Sequence, residues 1–95
     1  MKRSLYWREE LAEEFDDIEF RREYFLSLIH EEQLEVTEAL RRAVKAMGIK
    51  EFAGLIDMPA SNVSRTLSSR DYKLSTLEKF LAGFGLELSV EKRAS

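Results

Sequence analysis

Between positions 60 and 67 the chain reads Ala60-Ser61-Asn62-Val63-Ser64-Arg65-Thr66-Leu67. Wound as a helix, Val63 and Leu67 share one face, Ser61 and Arg65 point away from it, and Asn62 and Ser64 lie on the flanks. The Arg65 guanidinium is the one group here able to hold a guanine edge with two hydrogen bonds, an interaction worth roughly 1 to 3 kcal/mol of discrimination. Ser61 and Asn62 suit base edges or phosphates, and Ser64 suits a phosphate oxygen. Beyond them Arg70, Tyr72 and Lys73 form a polar loop able to follow a phosphate backbone. The Thr76 hydroxyl and a helix N-terminus at Ser75 add further donors. For Arg70 and Lys73 a merely solvated loop is the equal alternative.

Such side chains act only if something holds them rigidly outward. Lys50 to Ile56 and about Ala60 to Leu67 read as two short helices separated by Asp57-Met58-Pro59. Proline near a first helical turn wastes no hydrogen-bond donor, so the break falls at Met58-Pro59. Two short helices joined by about three residues, the second presenting small polar and basic side chains, meet the requirements of a helix-turn-helix. Ala53 supplies the small residue at the helix contact and Val63 the buried β-branched residue ten positions later. Phe52, Ile56, Met58 and Leu67 complete the apolar side.

The remaining apolar spacing is also helical. A short helix is expected from Tyr6 to Glu14. Asp16 with Glu19 reads as a capping box before a helix of roughly three to four turns carrying Ile18, Phe20, Tyr24, Phe25, Leu28 and Ile29. Val36, Ala39, Leu40, Ala43, Val44 and Met47 face inward on the clearest amphipathic helix, with Glu35, Glu38, Arg41, Arg42 and Lys45 opposite and Gly48 closing it. Ser75-Thr76-Leu77-Glu78 reads as a second capping box, opening a helix with Leu77, Phe80, Leu81 and Phe84 on its inner face and Gly85 at its end. Leu86-Glu87-Leu88-Ser89-Val90 alternates with period two, a strand signal. A lone strand needs a partner, and a second copy of the chain is one candidate. The expected fold is all-α: a helix-turn-helix bundle over 34–95, an acidic aromatic helical extension over 1–33, and a short C-terminal strand, in one continuous domain.

Composition narrows the function. The 95 residues are 44% apolar and carry 15 basic against 18 acidic side chains, enough for one small domain. The net charge of −3 hides a division: residues 1–38 sum to −7 and residues 39–95 to +4. The basic part suits nucleic acid and the acidic part a basic protein, although acidic helix faces are commonly plain solvated surface. The absence of cysteine rules out disulfides and thiolate metal sites. The longest apolar stretch, Phe80 to Leu86, is far below the roughly 20 residues that cross a bilayer. The cytoplasm is the expected address, with no membrane partner.

No catalytic, metal or cofactor site is expected. His30, near a helix end, suits interaction with the helix dipole rather than catalysis. The pairs Glu9-Glu10, Glu13-Glu14 and Asp16-Asp17 lie among like charges with no histidine or glycine-rich loop nearby in sequence, as solvated faces do. Of ten aromatic residues, Tyr6, Trp7, Phe15, Phe20, Tyr24 and Phe25 fall within the first 25. Core packing is the simplest use for them; anchoring a partner is the other.

The run from Ile49 to Leu67 resembles the helix-turn-helix of the Xre or lambda-repressor-like family. Leu74 to Leu88 is similar to that family's closing helix and its Leu-Gly-hydrophobic ending. The stretch Glu38 to Ile49, the N-terminal helices and Gly85 to Val90 resemble the HigA-like addiction-module antidotes. The resemblance implies a homodimer on double-stranded DNA at a palindromic operator and, in the antidote branch, a small basic RelE-like toxin as partner. The chain departs from the family at Asp57, where glycine is usual, at Pro59 in place of a serine cap, and in the loop Arg70-Asp71-Tyr72-Lys73, which lacks Gly-Asn-Pro. Three functions stay open: a DNA-binding antitoxin that represses its own operon, a free-standing Xre-type regulator, and a protein-interaction module on a helix-turn-helix scaffold.

Overall fold

The computed structural model of the chain describes residues 14–92. Five helices are present among these residues: α1 (Ile18–His30), α2 (Val36–Met47), α3 (Ile49–Leu55), α4 (Ala60–Ser68) and α5 (Leu74–Gly83). The helix expected over Tyr6 to Glu14 lies outside the described residues but for Glu14. None of the described helices is long and apolar enough to cross a membrane.

The core forms where buried residues of all five helices meet. Ala39, Leu40, Ala43 and Val44 of α2 are fully buried at the three- and four-residue spacing of one helical face. Around them pack Phe25 and Leu28 of α1, Phe52, Ala53 and Ile56 at α3, Val63 and Leu67 of α4, and Phe80, Leu81 and Phe84 at α5. Phe84 stacks between Phe25 and Phe52 at 5.3 Å from each, and Phe52 meets the edge of Phe80 at 5.2 Å. Gly83 is what lets α5 close on α3. A Cβ there would stand 2.8 Å from Phe52 Cε1 and 3.0 Å from Ile56 Cγ2.

The aromatic residues of the N-terminal third that are described serve packing. Phe15 is buried and meets the edges of Phe20 and Tyr24, each at 5.2 Å, while Phe25 belongs to the main core. Tyr6 and Trp7 lie outside the described residues. Beside Phe15, the charged Arg21 is buried on α1. Its Nε donates to the Gly83 carbonyl at 2.8 Å and its Nη1 to the Phe15 carbonyl.

Both expected capping boxes fall elsewhere. At α1 the cap is Asp17, not Asp16: the Asp17 backbone is extended and its carboxylate accepts the Glu19 N–H at 2.9 Å. At α5 the cap is Lys73, whose extended backbone precedes a helix already under way at Leu74. Ser75 therefore sits inside the first turn, where a hydroxyl cannot act as the N-cap. The strand expected at Leu86 to Val90 is not present. No other described segment is extended alongside it, and a strand exists only through its partner.

Candidate nucleic-acid interface

The turn before α4 is built on Asp57. Its backbone takes φ +58°, the left-handed conformation that ends a helix. This brings the Asp57 N–H to the Gly54 carbonyl at 3.4 Å and the Met58 N–H to the Ala53 carbonyl at 2.9 Å, a Schellman closure of α3. Pro59 follows at φ −60°, and its carbonyl accepts from Asn62 and Val63 N–H to open α4. Proline offers no capping side chain, so α4 starts on backbone geometry alone.

With Val63 and Leu67 buried, the opposite face of α4 must point outward. Ser61, Ser64 and Arg65 are exposed, Asn62 and Thr66 half-buried. The far end of α4 is tied to α2: Arg41 Nε donates to the Leu67 carbonyl at 3.2 Å while its Nη1 pairs with Glu38. A cation at a helix C-terminus is favourable to the helix dipole. Arg41 thus fixes the orientation of α4 although its position in sequence marks it as outer-face.

A cleft of about 420 Å³ is lined by Met58, by Asn62, Arg65 and Thr66 of α4, by Ser69, Asp71, Tyr72 and Lys73 of the following loop, and by Thr76 of α5. Four expected contact residues, Asn62, Arg65, Lys73 and Thr76, therefore converge on one concavity. Neither Arg65, Arg70 nor Lys73 makes an ion pair among the described residues, so all three charges stand free for an anion. Ser64 lies on the other flank of α4, in a smaller groove with Arg41, Lys45 and Ser68. Ser61, Arg70 and Ser75 are exposed outside the cleft.

Tyr72 departs from expectation. Its ring meets the edge of Phe80 at 5.9 Å, and its hydroxyl is buried with no hydrogen-bond partner among the described residues. Burial raises the phenol above its ordinary value, against the lowering pull of Arg41. Tyr72 is a wall of the cleft rather than a side chain free to follow a phosphate backbone.

Sequence reasoning missed Asp71, Ser69, Lys45 and Arg41. Asp71 brings a carboxylate into the cleft, and Ser69 braces the loop: its hydroxyl donates to the Asp71 carbonyl at 3.0 Å and accepts the Asp71 N–H at 3.1 Å. The Ser-x-Asp spacing is a signal for such a local turn. Lys45 falls on the outer face of α2, and only the packing of α2 on α4 brings it beside Ser64. Among the described residues no cluster of histidine, cysteine or carboxylates is placed to hold a metal. No family model, curated protein or solved structure matches the chain.

Proposed function

We propose that the protein is a sequence-specific DNA-binding repressor that works as a homodimer on a palindromic operator, and that it is the antitoxin of a two-gene module. The observation that carries the DNA reading is the cleft between α4 and the loop before α5. Arg65 and Lys73, neither in an ion pair among the described residues, line one space with Asn62 and Thr76, beside a helix whose Val63 and Leu67 are buried. In this reading Arg65 takes a base edge, Ser61 and Asn62 read or position near the start of α4, and Ser64, Arg70, Lys73, Ser75 and Thr76 meet phosphates. In the same reading the first-turn N–H groups of α5, which have no acceptor within the helix, add donors for that backbone.

The antitoxin reading rests on charge. Glu14, Asp16, Asp17, Glu19, Glu23, Glu31 and Glu32 are all exposed on and around α1, a surface that repels phosphate and attracts a basic protein. DNA and toxin would then occupy different surfaces of one small molecule, since none of these carboxylates lines the cleft.

Titration against the duplex upstream of the protein's own gene at two salt concentrations tests the DNA reading, since phosphate contacts release counterions and impose a steep salt dependence. Co-expression with the product of the adjacent gene, followed by co-purification, tests the antitoxin reading separately.

A further inference from the structure

Leu86-Glu87-Leu88-Ser89-Val90 keeps its alternation of apolar and polar residues but pairs with nothing in its own chain. The Leu86 N–H donates to the Leu81 carbonyl at 2.9 Å, the last bond of the α5 closure. From Glu87 to Lys92 no backbone–backbone hydrogen bond is made among the described residues. Leu88 is 39% and Val90 99% exposed. At the root of the segment Ile18, itself 45% exposed, lies so near Gly85 that a Cβ there would stand 3.1 Å from its Cγ1. The Arg22 Nη1 stands as near, at 3.0 Å, so α1 brings one apolar and one charged side chain to the root of the segment.

We propose that residues 86–90 pair antiparallel with the same residues of a second copy, about a twofold axis through Leu88. This rests on the homodimer reading above and assigns its surface. The segment is complementary to itself in one register. With the axis at Leu88, Leu88 opposes its own copy and Leu86 opposes Val90 of the partner subunit, so one face is wholly apolar. On the other face Glu87 opposes Ser89 of the partner subunit, and no like charges meet. An axis at Ser89 would set Glu87 against Glu91 and Leu86 against Lys92; an axis at Glu87 would set that carboxylate against itself. Like charges directly opposed destabilise a sheet pair, so both alternatives are disfavoured.

The bonding edge follows from α5. In a strand the N–H and C=O of one residue point to the same edge, and successive residues alternate edges. Because the Leu86 N–H is already engaged inward, Glu87 and Ser89 turn theirs outward. Glu87 and Ser89 then form the hydrogen-bonded pair, and Leu88 meets its copy in the closer, non-hydrogen-bonded pair, at a Cα separation of about 4.5 Å. A two-stranded ribbon alone is marginal, and the apolar surface at Ile18 supplies further area beside it.

The test is solution mass by sedimentation equilibrium for the native chain, Leu88→Asp, Leu88→Lys and an equimolar mixture of the two variants, with far-ultraviolet dichroism to verify that each keeps its helices. The native chain is expected at the mass of two chains and each variant at the mass of one. The mixture should return to two chains, because opposite charges now face each other at the axis. Ser89→Pro, which withdraws an outward N–H without touching the core, should also halve the mass. A native chain at the mass of one overturns this proposal and the homodimer reading together. Native and variants all at the mass of two overturn the strand pairing alone, since the dimer then uses another surface. Monomeric variants whose mixture stays monomeric overturn the axis at Leu88.

Discussion

The Nε of Arg21 donates to the carbonyl of Gly83 at 2.8 Å, joining α1 to the last turn of α5 across 62 positions of sequence. The carbonyls at a helix C-terminus have no partners within the helix and carry partial negative charge. A buried guanidinium satisfies one of them here and the Phe15 carbonyl with another N–H. Arg21→Met keeps the apolar stem and removes both bonds, leaving two carbonyls without a donor. Its expected cost is about 2 to 3 kcal/mol in urea unfolding. Arg21→Lys, with a point charge in place of the fork, should fall between the two.

Asp57 stands at φ +58° without a glycine's freedom. A left-handed non-glycine residue carries a strain of roughly 1 to 2 kcal/mol, part of which aspartate recovers through its short polar side chain. Asp57→Gly should therefore raise stability by about 0.5 to 1 kcal/mol, which for a domain of this size lifts the melting temperature by several degrees. Asp57→Val should lower it. Thermal unfolding of the two variants against the native chain reads both signs.

Tyr72 keeps a hydroxyl where nothing among the described residues accepts or donates to it. Tyr72→Phe removes that buried group, and stability at neutral pH should stay level or rise by up to about 1 kcal/mol. Because burial raises the phenol in the folded chain above its unfolded value, its contribution is fully present below about pH 10 and is lost as pH climbs through the folded value. Native protein should thus weaken in strong alkali more than Tyr72→Phe does. Tyr24, raised chiefly by burial as well, should leave a residual alkaline loss in the variant. Urea midpoints at neutral and alkaline pH measure the difference.

If the cleft beside α4 meets DNA as proposed, Asp71 and Lys73, which both line it, should act in opposite senses. Asp71→Asn removes a carboxylate that repels phosphate and should tighten binding at low salt, with less effect as salt screens the charge. Lys73→Ala should weaken binding to all sequences alike and reduce the slope of log affinity against log salt by about 1. Parallel salt titrations of the two variants decide it.

How far the sequence discloses this molecule depends on how local each cause is. The inner face of α2, the break at Asp57-Met58-Pro59 and the burial of Val63 opposite Arg65 follow from spacing and turn chemistry within a few residues, and the structure has them. Capping is less legible: Asp16 and Asp17 have the same chemistry, and only the extended backbone at Asp17 decides between them. Alternation at Leu86 to Val90 states which side chains share a face, not whether a partner strand is there. Arg21 was illegible for a stronger reason. A charged residue on an amphipathic helix is assigned to solvent by every periodicity rule, and the carbonyl that justifies its burial is 62 positions away. Arg41 was hidden in the same way, its acceptor at Leu67 being on another helix.

Binding of the native chain and of Arg65→Ala to the duplex upstream of its own gene, each at two salt concentrations, bears most directly on the proposed function. The expected result is tight binding by the native chain that falls steeply with salt, and loss of preference for that duplex over a scrambled one in Arg65→Ala, by a factor of about 5 to 150, corresponding to roughly 1 to 3 kcal/mol. Native binding that ignores salt, or a variant that discriminates as well as the native chain, would contradict the assignment of α4 as the DNA-reading helix.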